Sequence, residues 1–339
     1  MRSISTLCMA LLVLCNTCCT YADEALAKRP DVQAFVNQMV KKHHFDKRQL
    51  MVAMRAAKYQ PKIIESMEKP YEMKTWDVYK ALFLTPARVQ AGLEFWQANQ
   101  KVLAKAEKEY GVPANIIVAI IGVETLYGKH QGEYRVLDAL TTLAFYYPKR
   151  APYFTKELAE FFQLCREQGV AADQYTGSYA GAMGKPQFMP SSYRFYAVDF
   201  TGNGKRDLMN SDHDAIGSVA NYFHQHGWQP NGGVAQQASI SGSHYKHLML
   251  NSKTPNYAFK HLMAEGVKPL SAVVDHPYKA GLIELTTQTG QEYWLAYPNF
   301  YVITRYNSSP QYALVVYLFS QQLHKQWAAA QGLHGKQYG

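Results

Sequence analysis

One apolar stretch, residues 113–128, constrains the fold more than any other part of the chain. It reads Pro-Ala-Asn-Ile-Ile-Val-Ala-Ile-Ile-Gly-Val-Glu-Thr-Leu-Tyr-Gly. Pro113 suits the first position of a helix, where its missing N–H costs nothing, and Gly128 suits the position just past the end. A helix that is apolar on all sides has to be covered on most of them. The stretch therefore predicts a buried central helix.

A single ionisable side chain, Glu124, lies inside this stretch. Ile120 and Ile121 precede it by four and three residues, so they share its face of the helix. Poor solvation there should raise the pKa of the carboxyl group, which a general acid needs at neutral pH. A structural Glu satisfied by a salt bridge or hydrogen bonds explains the same pattern. Both interpretations stay open at this point.

The first 22 residues have the features of a secretory signal peptide. Arg2 is positive, and the apolar run 7–14 is too short to span a bilayer. Residues 20–22 are an acceptable cleavage site, and 25–27 are a second candidate. We expect an exported, periplasmic protein. A lipid-anchored form associated with the outer membrane is the alternative, although Cys15 and Cys18 both lack a preceding small residue.

The net charge of +9 over 339 residues indicates an anionic partner. Nucleic acid is not expected outside the cell, whereas cell-wall glycan with its peptide carboxylates fits. The chain without its signal keeps only Cys165, so no intramolecular disulfide is expected. Outside the predicted signal peptide, neither the HExxH spacing nor a pair of Cys residues occurs, so zinc is not expected either.

A glycine-rich strip follows at residues 177–190. Gly177, Gly181 and Gly184 allow backbone to approach backbone or a ligand closely. No phosphate-binding or dinucleotide fingerprint is present. The neutral polar groups of Ser178 and Gln187, beside aromatic side chains, suit a sugar. A tight packing corner is the alternative interpretation.

Residues 199–214 are similar to a calcium loop. Oxygen donors fall at the first, third, fifth and seventh positions, on Asp199, Thr201, Asn203 and the carbonyl of Lys205. A standard loop has Glu at its twelfth position, but Asn210 stands here, and the next acids are Asp212 and Asp214. Asp214 is a candidate both to ligate the ion and to cap a helix over 215–223. The alternative is an Asx-rich turn without metal.

Periodicity predicts a mainly α-helical chain with one β-rich part. Thr85-Pro86 begins a helix that we expect to run to Gly111. Segments 281–287 and 292–296 read as strands on either side of a Thr289-Gly290 turn. The final helix is predicted over 312–330.

Six segments together resemble the lytic murein transglycosylases of the B type. They are 120–125 (Ile-Ile-Gly-Val-Glu-Thr), 147–154 (Tyr-Pro-Lys-Arg-Ala-Pro-Tyr-Phe), 177–184 (Gly-Ser-Tyr-Ala-Gly-Ala-Met-Gly), 187–193 (Gln-Phe-Met-Pro-Ser-Ser-Tyr), 214–223 (Asp-Ala-Ile-Gly-Ser-Val-Ala-Asn-Tyr-Phe) and 299–307 (Asn-Phe-Tyr-Val-Ile-Thr-Arg-Tyr-Asn). The resemblance implies a lysozyme-like catalytic core, an all-helical domain and a small β-rich domain.

These expectations divide the chain into consecutive segments. They are a signal peptide (1–22), an N-terminal helical domain (23–105), a lysozyme-like core that contains loop 199–214 (106–234), a small β-rich domain (235–298), and a groove segment with a helix that returns to the core (299–339).

The resemblance also implies roles for individual residues. The catalytic acid falls on Glu124. Positions that line or flank the glycan groove fall on Ser178, Gln187, Tyr222, Tyr301, Tyr306, Asn307, Arg150 and Tyr153. The calcium loop falls on Asp199, Thr201, Asn203, Lys205 and Asp214. Two features depart from the family pattern: Lys185-Pro186 replaces Tyr-Gly, and the metal loop carries Asn203 for Asp and is one residue longer before Asp214.

The implied reaction follows from a shortage of acids. A glycosidase usually needs two carboxylates, but no second acid accompanies Glu124 in its helix or at the matched groove positions. The resemblance, together with this lone acid, implies a lytic transglycosylase, which cleaves the β-1,4 bond between N-acetylmuramic acid and N-acetylglucosamine without water and leaves 1,6-anhydromuramic acid ends. The alternatives are a hydrolytic muramidase and a non-catalytic peptidoglycan-binding protein.

The expected partners follow from this activity. Peptidoglycan glycan strands are the substrate, and proteins of cell-wall synthesis or division are candidate partners of a monomer. The chemistry requires no cofactor, and Ca²⁺ would be structural.

Overall fold

The fold is described from a computed structural model, which covers residues 26–68, 74–271 and 279–332. The predicted signal peptide lies outside these residues. No helix within the described ranges is long and apolar enough to cross a membrane.

Helices make up most of the described chain, as predicted. They are α1 (Pro30–His43), α2 (Lys47–Ala56), α3 (Pro61–Met67), α4 (Trp76–Phe83), α5 (Pro86–Ala98), α6 (Gln100–Tyr110), α7 (Ala114–Thr125), α8 (Val136–Tyr146), α9 (Ala151–Gln168), α10 (Pro190–Tyr196), α11 (Asp212–Gln225), α12 (Phe259–Ala264), α13 (Pro298–Tyr306) and α14 (Pro310–Ala330), with short 3-10 turns at Pro148–Arg150 and His244–His247.

The strands form two sheets. They are β1 (Tyr134–Arg135), β2 (Thr176–Gly177), β3 (Ala235–Ile240), β4 (Tyr257–Ala258), β5 (Val267–Pro269), β6 (Lys279–Thr287) and β7 (Gly290–Ala296). β1 and β2 pair with each other, and the other strands form one antiparallel sheet in the order β4-β6-β7-β3-β5. The predicted hairpin is confirmed, but Thr287 pairs with Gly290, so its turn residues are Gln288 and Thr289.

The chain divides into two compact units whose segments alternate along the sequence. The first comprises Met1–Lys69, Gln131–Met183 and Gln187–Phe195, and the second comprises Pro70–His130, Gly184–Pro186 and Tyr196–Gly339. The first unit contains α1 to α3, α8, α9 and the small β1-β2 sheet. The second contains α4 to α7, α11 to α14 and the larger sheet. The predicted domain boundaries are continuous segments, and they stay a prediction.

Helix α7 is the core of the second unit, as the apolar stretch predicts. It packs against α5, α6, α11 and α14. All of its residues are buried except Glu124, which is half-buried. Burial of each Ile or Val side chain of this helix stabilises the folded state by about 1.5–3 kcal/mol. Because these side chains lie on every face of α7, the surrounding helices all pack against it.

Two helix boundaries differ from the sequence expectation. The helix expected from Pro86 to Gly111 is interrupted at Asn99, whose side-chain amide donates to the Phe95 carbonyl at 3.0 Å and so competes with the helical bonds. Gly111 does end the second half, with φ of 72°. The last helix begins at Pro310, two residues earlier than predicted, because Ser309 caps it by accepting from the Tyr312 N–H.

Candidate active site

Glu124 lies at the carboxyl end of α7, where it is the one residue of the helix that is not fully buried. The helix ends at Thr125 with Leu126 as its C-cap, so it stops before the end that Gly128 predicts, and Pro113 is its N-cap rather than its first helical residue. Leu126 and Tyr127 both adopt left-handed conformations, with φ of 49° and 61°. Such conformations cost non-glycine residues about 1–2 kcal/mol each. The surrounding structure therefore has to hold this turn in place.

Two contacts hold the turn. The Thr125 hydroxyl accepts from the Gly128 N–H at 2.9 Å, and it donates to the Lys185 carbonyl at 2.8 Å. The Tyr127 ring stacks on Phe95 at 4.9 Å and fills a notch beside Gly122, where an added Cβ would lie 2.3 Å from the Tyr127 hydroxyl oxygen. Glu124 is therefore presented by a turn that is fixed on both sides.

The Glu124 carboxylate receives a hydrogen bond from a tyrosine. Tyr312, in the first turn of α14, donates its hydroxyl to Glu124 Oε1 at 2.5 Å. Tyr312 is only 4% exposed, so this bond lies in a region that water barely enters. The bond fixes the orientation of the carboxyl group, and it is strongest when that group is ionised.

Two further tyrosines surround this pair. Tyr306, the last residue of α13, lies parallel to Tyr312 with ring centroids 6.5 Å apart, and it donates its hydroxyl to the Pro186 carbonyl. Tyr222 of α11 packs edge-on against Tyr306 at 4.9 Å and donates to the Arg305 carbonyl at 2.6 Å. We call Tyr222, Tyr306 and Tyr312 the tyrosine cluster.

Two phenols of the cluster, those of Tyr306 and Tyr312, are kept neutral by their surroundings. Burial, and after it the negative charge of Glu124, raises the pKa of Tyr306 and of Tyr312 well above the ordinary value of a tyrosine. Tyr312 is therefore neutral at physiological pH and can donate its hydroxyl hydrogen to Glu124.

The other predicted site residues of the second unit are Tyr301 and Asn307. Tyr301 is 5% exposed, and its hydroxyl group lies against Gly281 of β6, where an added Cβ would come within 1.8 Å of the oxygen. The side-chain carbonyl of Asn307 accepts from the Ser309 N–H at 3.0 Å just before α14. Asn307 thus helps to set the start of the helix that carries Tyr312.

Four predicted site residues belong to the first unit: Ser178, Gln187, Arg150 and Tyr153. The Ser178 hydroxyl accepts from the N–H groups of Ala180 and Ala182, at 3.2 and 3.1 Å, so it closes the glycine-rich turn. Gln187 has a left-handed backbone, with φ of 51°, and its side-chain amide donates to the Gln131 carbonyl at 3.0 Å.

Arg150 and Tyr153 form a stacked pair at the start of α9. The Arg150 guanidinium lies 4.6 Å from the centre of the Tyr153 ring. Burial, and after it the nearby Glu157, raises the pKa of Tyr153 to about 12. With 39% of its surface exposed, Tyr153 offers an aromatic face to solvent.

Sequence reasoning missed Tyr312, although a signal for it was present. Ser309-Pro310 is the same Ser/Thr–Pro helix start that was recognised at Thr85-Pro86. Using it would have started the last helix at Pro310, although the predicted helix over 312–330 already has Tyr312 in its first turn. Nothing in the sequence indicates that this turn contacts residue 124, because 188 positions separate the two residues.

The predicted calcium loop is closed by its own hydrogen bonds. The carboxylate of Asp199 accepts from the Thr201 hydroxyl and from the N–H groups of Gly202, Asn203 and Gly204. The donors that suit a hard cation, on Asp199, Thr201, Asn203 and the Lys205 carbonyl, occur at the surface end of the loop. Within the described residues, no group of three or more His, Cys, Asp or Glu side chains is arranged to hold a metal ion.

Asp214 does not cap the helix that follows, which corrects the sequence expectation. Helix α11 begins at Asp212, and its N-cap is Ser211, whose hydroxyl accepts from the Asp214 N–H at 3.1 Å. The Asp214 side chain is fully buried and turns back to the loop, where Oδ1 accepts from the N–H groups of Phe200 and Thr201. Its Oδ2 accepts from the Asp207 N–H at 3.0 Å. These three bonds hold both carboxylate oxygens of Asp214 against the backbone of the loop.

The comparisons with known proteins agree on one family. The family model described as "Transglycosylase SLT domain" matches residues 27–321. The chain is similar to the membrane-bound lytic murein transglycosylase B of Escherichia coli (strain K12), with 41% identity over 305 residues that cover 87% of this chain and 83% of that protein.

Solved structures of three proteins are similar to this chain over most of its length. The catenated lytic transglycosylase SltB1 from Pseudomonas aeruginosa aligns with a TM-score of 0.83 and 44% identity, over 89% of this chain and 99% of that one. The Escherichia coli lytic transglycosylase Slt35 in complex with calcium gives a TM-score of 0.80 and 42% identity, over 89% and 95%. SltB3 from Pseudomonas aeruginosa in complex with NAG-anhNAM-pentapeptide gives 0.73 and 28%, over 86% and 78%.

The three hydrogen bonds to Asp214 generate a stability prediction. Asp214→Asn places an amide nitrogen opposite backbone N–H donors, so we expect the free energy of unfolding to fall by about 2–4 kcal/mol. Urea denaturation measures the change. The matched control Asp173→Asn alters an exposed residue and should change the value by less than about 0.5 kcal/mol. A loss at Asp214 no larger than that of the control would contradict the assigned bonds.

Proposed function

The chain belongs to the transglycosylase SLT domain family, and from this membership we propose that it is a lytic transglycosylase that acts on peptidoglycan. Its substrate bond is the β-1,4 link between N-acetylmuramic acid and N-acetylglucosamine. The observation that carries the proposal is Glu124, the half-buried carboxyl group at the end of the buried helix α7, which Tyr312 holds by a hydrogen bond of 2.5 Å.

The first step needs a proton on Glu124. Because Tyr312 donates to Oε1, the acid proton resides on the other carboxyl oxygen, Oε2. That proton passes to the glycosidic oxygen as the bond between this oxygen and C1 of the muramic acid breaks. The carbonyl oxygen of the muramyl N-acetyl group stabilises the positive charge at C1, which replaces the second carboxylate of an ordinary retaining glycosidase.

The second step returns the proton. Ionised Glu124 takes the proton of the muramyl C6 hydroxyl, whose oxygen attacks C1 and closes the 1,6-anhydro ring. The carboxyl group regains its initial state, and no water is consumed. The neutral Tyr312 stabilises the carboxylate that exists between the steps, because it can donate a hydrogen bond but cannot take up the proton.

Eight further residues are proposed to contact or flank the glycan. They are Ser178, Gln187, Tyr222, Tyr301, Tyr306, Asn307, Arg150 and Tyr153. The hydroxyl groups of Tyr222 and Tyr306 already donate to backbone carbonyls, so these residues would offer ring surfaces rather than hydroxyl groups to a sugar. Ser178 would orient the N-acetyl group through its hydroxyl hydrogen, since its oxygen accepts the two N–H groups of the glycine-rich turn.

Calcium and location complete the proposal. The chemistry requires no cofactor, and loop 199–214 would take Ca²⁺ weakly, through Asp199, Thr201, Asn203, the Lys205 carbonyl and one oxygen of Asp214. The calcium complex of the similar Slt35 supports this assignment. We propose that the protein is exported to the periplasm, where peptidoglycan is accessible.

Replacing the acid tests the function. Glu124→Gln keeps the size and hydrogen-bonding capacity of the side chain but removes the proton donor, so release of anhydro-muropeptides from purified peptidoglycan should fall by at least about 1,000-fold. Binding to the same sacculi, measured by co-sedimentation, should persist. The control Glu94→Gln changes an exposed carboxylate on α5 and should leave release unchanged. Equal turnover by the Glu124 variant would remove this residue from the mechanism.

Tyr312→Phe tests the hydrogen bond that orients the acid. A bond to a charged group contributes about 1.5–3 kcal/mol, so kcat should fall by about 10- to 100-fold while the fold is kept. Steady-state kinetics on soluble glycan strands, with melting curves beside them, measure both quantities. Tyr110→Phe removes the phenol of another tyrosine–glutamate pair, with Glu109, and should leave kcat unchanged. A normal kcat in the Tyr312 variant would show that the bond is dispensable.

A further inference from the structure

Lys185 carries an ammonium group that the mechanism above does not use. Only 13% of its side chain is exposed, which is unusually little for a lysine. Its Nζ donates to the Asn210 carbonyl at 3.0 Å and forms an ion pair with the Asp212 carboxylate. A charge with so little access to water has to be paired in this way.

Both partners of this ammonium, Asn210 and Asp212, lie near the end of the predicted calcium loop. Counted from Asp199, Asn210 is the twelfth residue of loop 199–214. The twelfth position of a calcium loop supplies ligands to the ion. In this chain the carbonyl of that residue binds the ammonium of Lys185, and the neighbouring Asp212 supplies the negative charge.

The backbone of Lys185 forms hydrogen bonds both to this loop and to the residue next to Glu124. Its N–H donates to the Leu208 carbonyl at 2.9 Å, and its carbonyl accepts from the Thr125 hydroxyl at 2.8 Å. Thr125 is the residue after Glu124. The aliphatic part of Lys185 covers Gly128, where an added Cβ would lie 3.1 Å from Cε, and Gly128 has a φ of 88°.

The next residue makes a second connection to the acid. The Pro186 carbonyl accepts from the Tyr306 hydroxyl, and the Tyr306 ring lies parallel to Tyr312, which donates to Glu124. Residues 185 and 186 are therefore connected to Glu124 through two series of contacts. One passes through the neighbouring Thr125, and the other passes through Tyr306 and Tyr312.

We propose that Lys185 is a positioning residue whose ammonium closes the end of loop 199–214 through Asn210 and Asp212 and so fixes the turn next to Glu124. The effect on turnover rests on the proposed function. The loop-closing role does not, because it concerns the ammonium, Asn210 and Asp212 alone. Since like charges repel, the ammonium also opposes binding of Ca²⁺ to the loop.

The experiment compares three variants with the wild type. Lys185→Met removes the charge but keeps an unbranched side chain. Lys185→Arg restores a cation. Lys80→Met is the matched control, because it removes the ammonium of another ion pair in the same unit, with Glu292 at 3.5 Å. For each protein, kcat and KM are measured on soluble glycan strands, and melting temperatures are recorded over a CaCl₂ series and with chelator.

We expect Lys185→Met to lower kcat by about tenfold while KM changes by less than about twofold, because the acid is displaced but the groove is kept. Lys185→Arg should retain at least half of the wild-type kcat. The CaCl₂ concentration that gives half of the melting shift should fall by about threefold or more in Lys185→Met. Lys80→Met should match the wild type in every measurement.

Two results would overturn the proposal: a kcat for Lys185→Met equal to that of Lys80→Met, or the same calcium response in Lys185→Met and the wild type. If Lys185→Met shows no cooperative melting, Lys185→Gln, which keeps a hydrogen-bond donor for Asn210 without the charge, is judged by the same two criteria. Failure of the proposed function is distinguishable, because the wild type itself would then release no anhydro product.

Discussion

The hydrogen bond from Tyr312 to Glu124 is the interaction on which the rest of the site depends. It joins the first turn of α14 to the last turn of α7, and these two helices also pack along their lengths in the core of the second unit. A carboxyl group on a mobile turn could not transfer a proton in both directions at one geometry. The neutral phenol fixes its orientation, and it stays neutral because burial and the charge of Glu124 both oppose its ionisation.

The arrangement requires a strained backbone conformation in the residues just after Glu124. Two non-glycine residues in succession, Leu126 and Tyr127, adopt left-handed conformations. Strain of this kind persists only where the surroundings hold it. Here the surroundings are the Tyr127 ring in its notch beside Gly122, and the Thr125 hydroxyl between Gly128 and Lys185. Lys185-Pro186, which departs from the family pattern, therefore helps to hold the turn next to Glu124 and does not affect only the wall of the groove.

The sequence predicted what depends on local chemistry. The buried helix, the lone Glu124, the hairpin of β6 and β7 and the glycine-rich turn all follow from apolar periodicity or from residues with special backbone freedom. Helix ends were less predictable, because Asn99 and Thr125 terminate helices through side-chain hydrogen bonds that compete with the helical ones. Contacts between distant segments, such as Tyr312 with Glu124 and Lys185 with Asp212, leave no local pattern and required the three-dimensional structure. For Asp214 the predicted helix cap was wrong, because its buried carboxylate accepts backbone N–H groups of the loop and Ser211 caps α11 instead.

The central claim is that one carboxyl group acts as acid and then as base, with the substrate's own hydroxyl in the place of water. Digestion of purified peptidoglycan in H₂¹⁸O, followed by mass spectrometry of the released muropeptides, tests it most directly. The account predicts products one water lighter than hydrolytic muropeptides, with no ¹⁸O at C1 of the muramic acid. Products that carry ¹⁸O at a reducing end would contradict it and would establish hydrolysis.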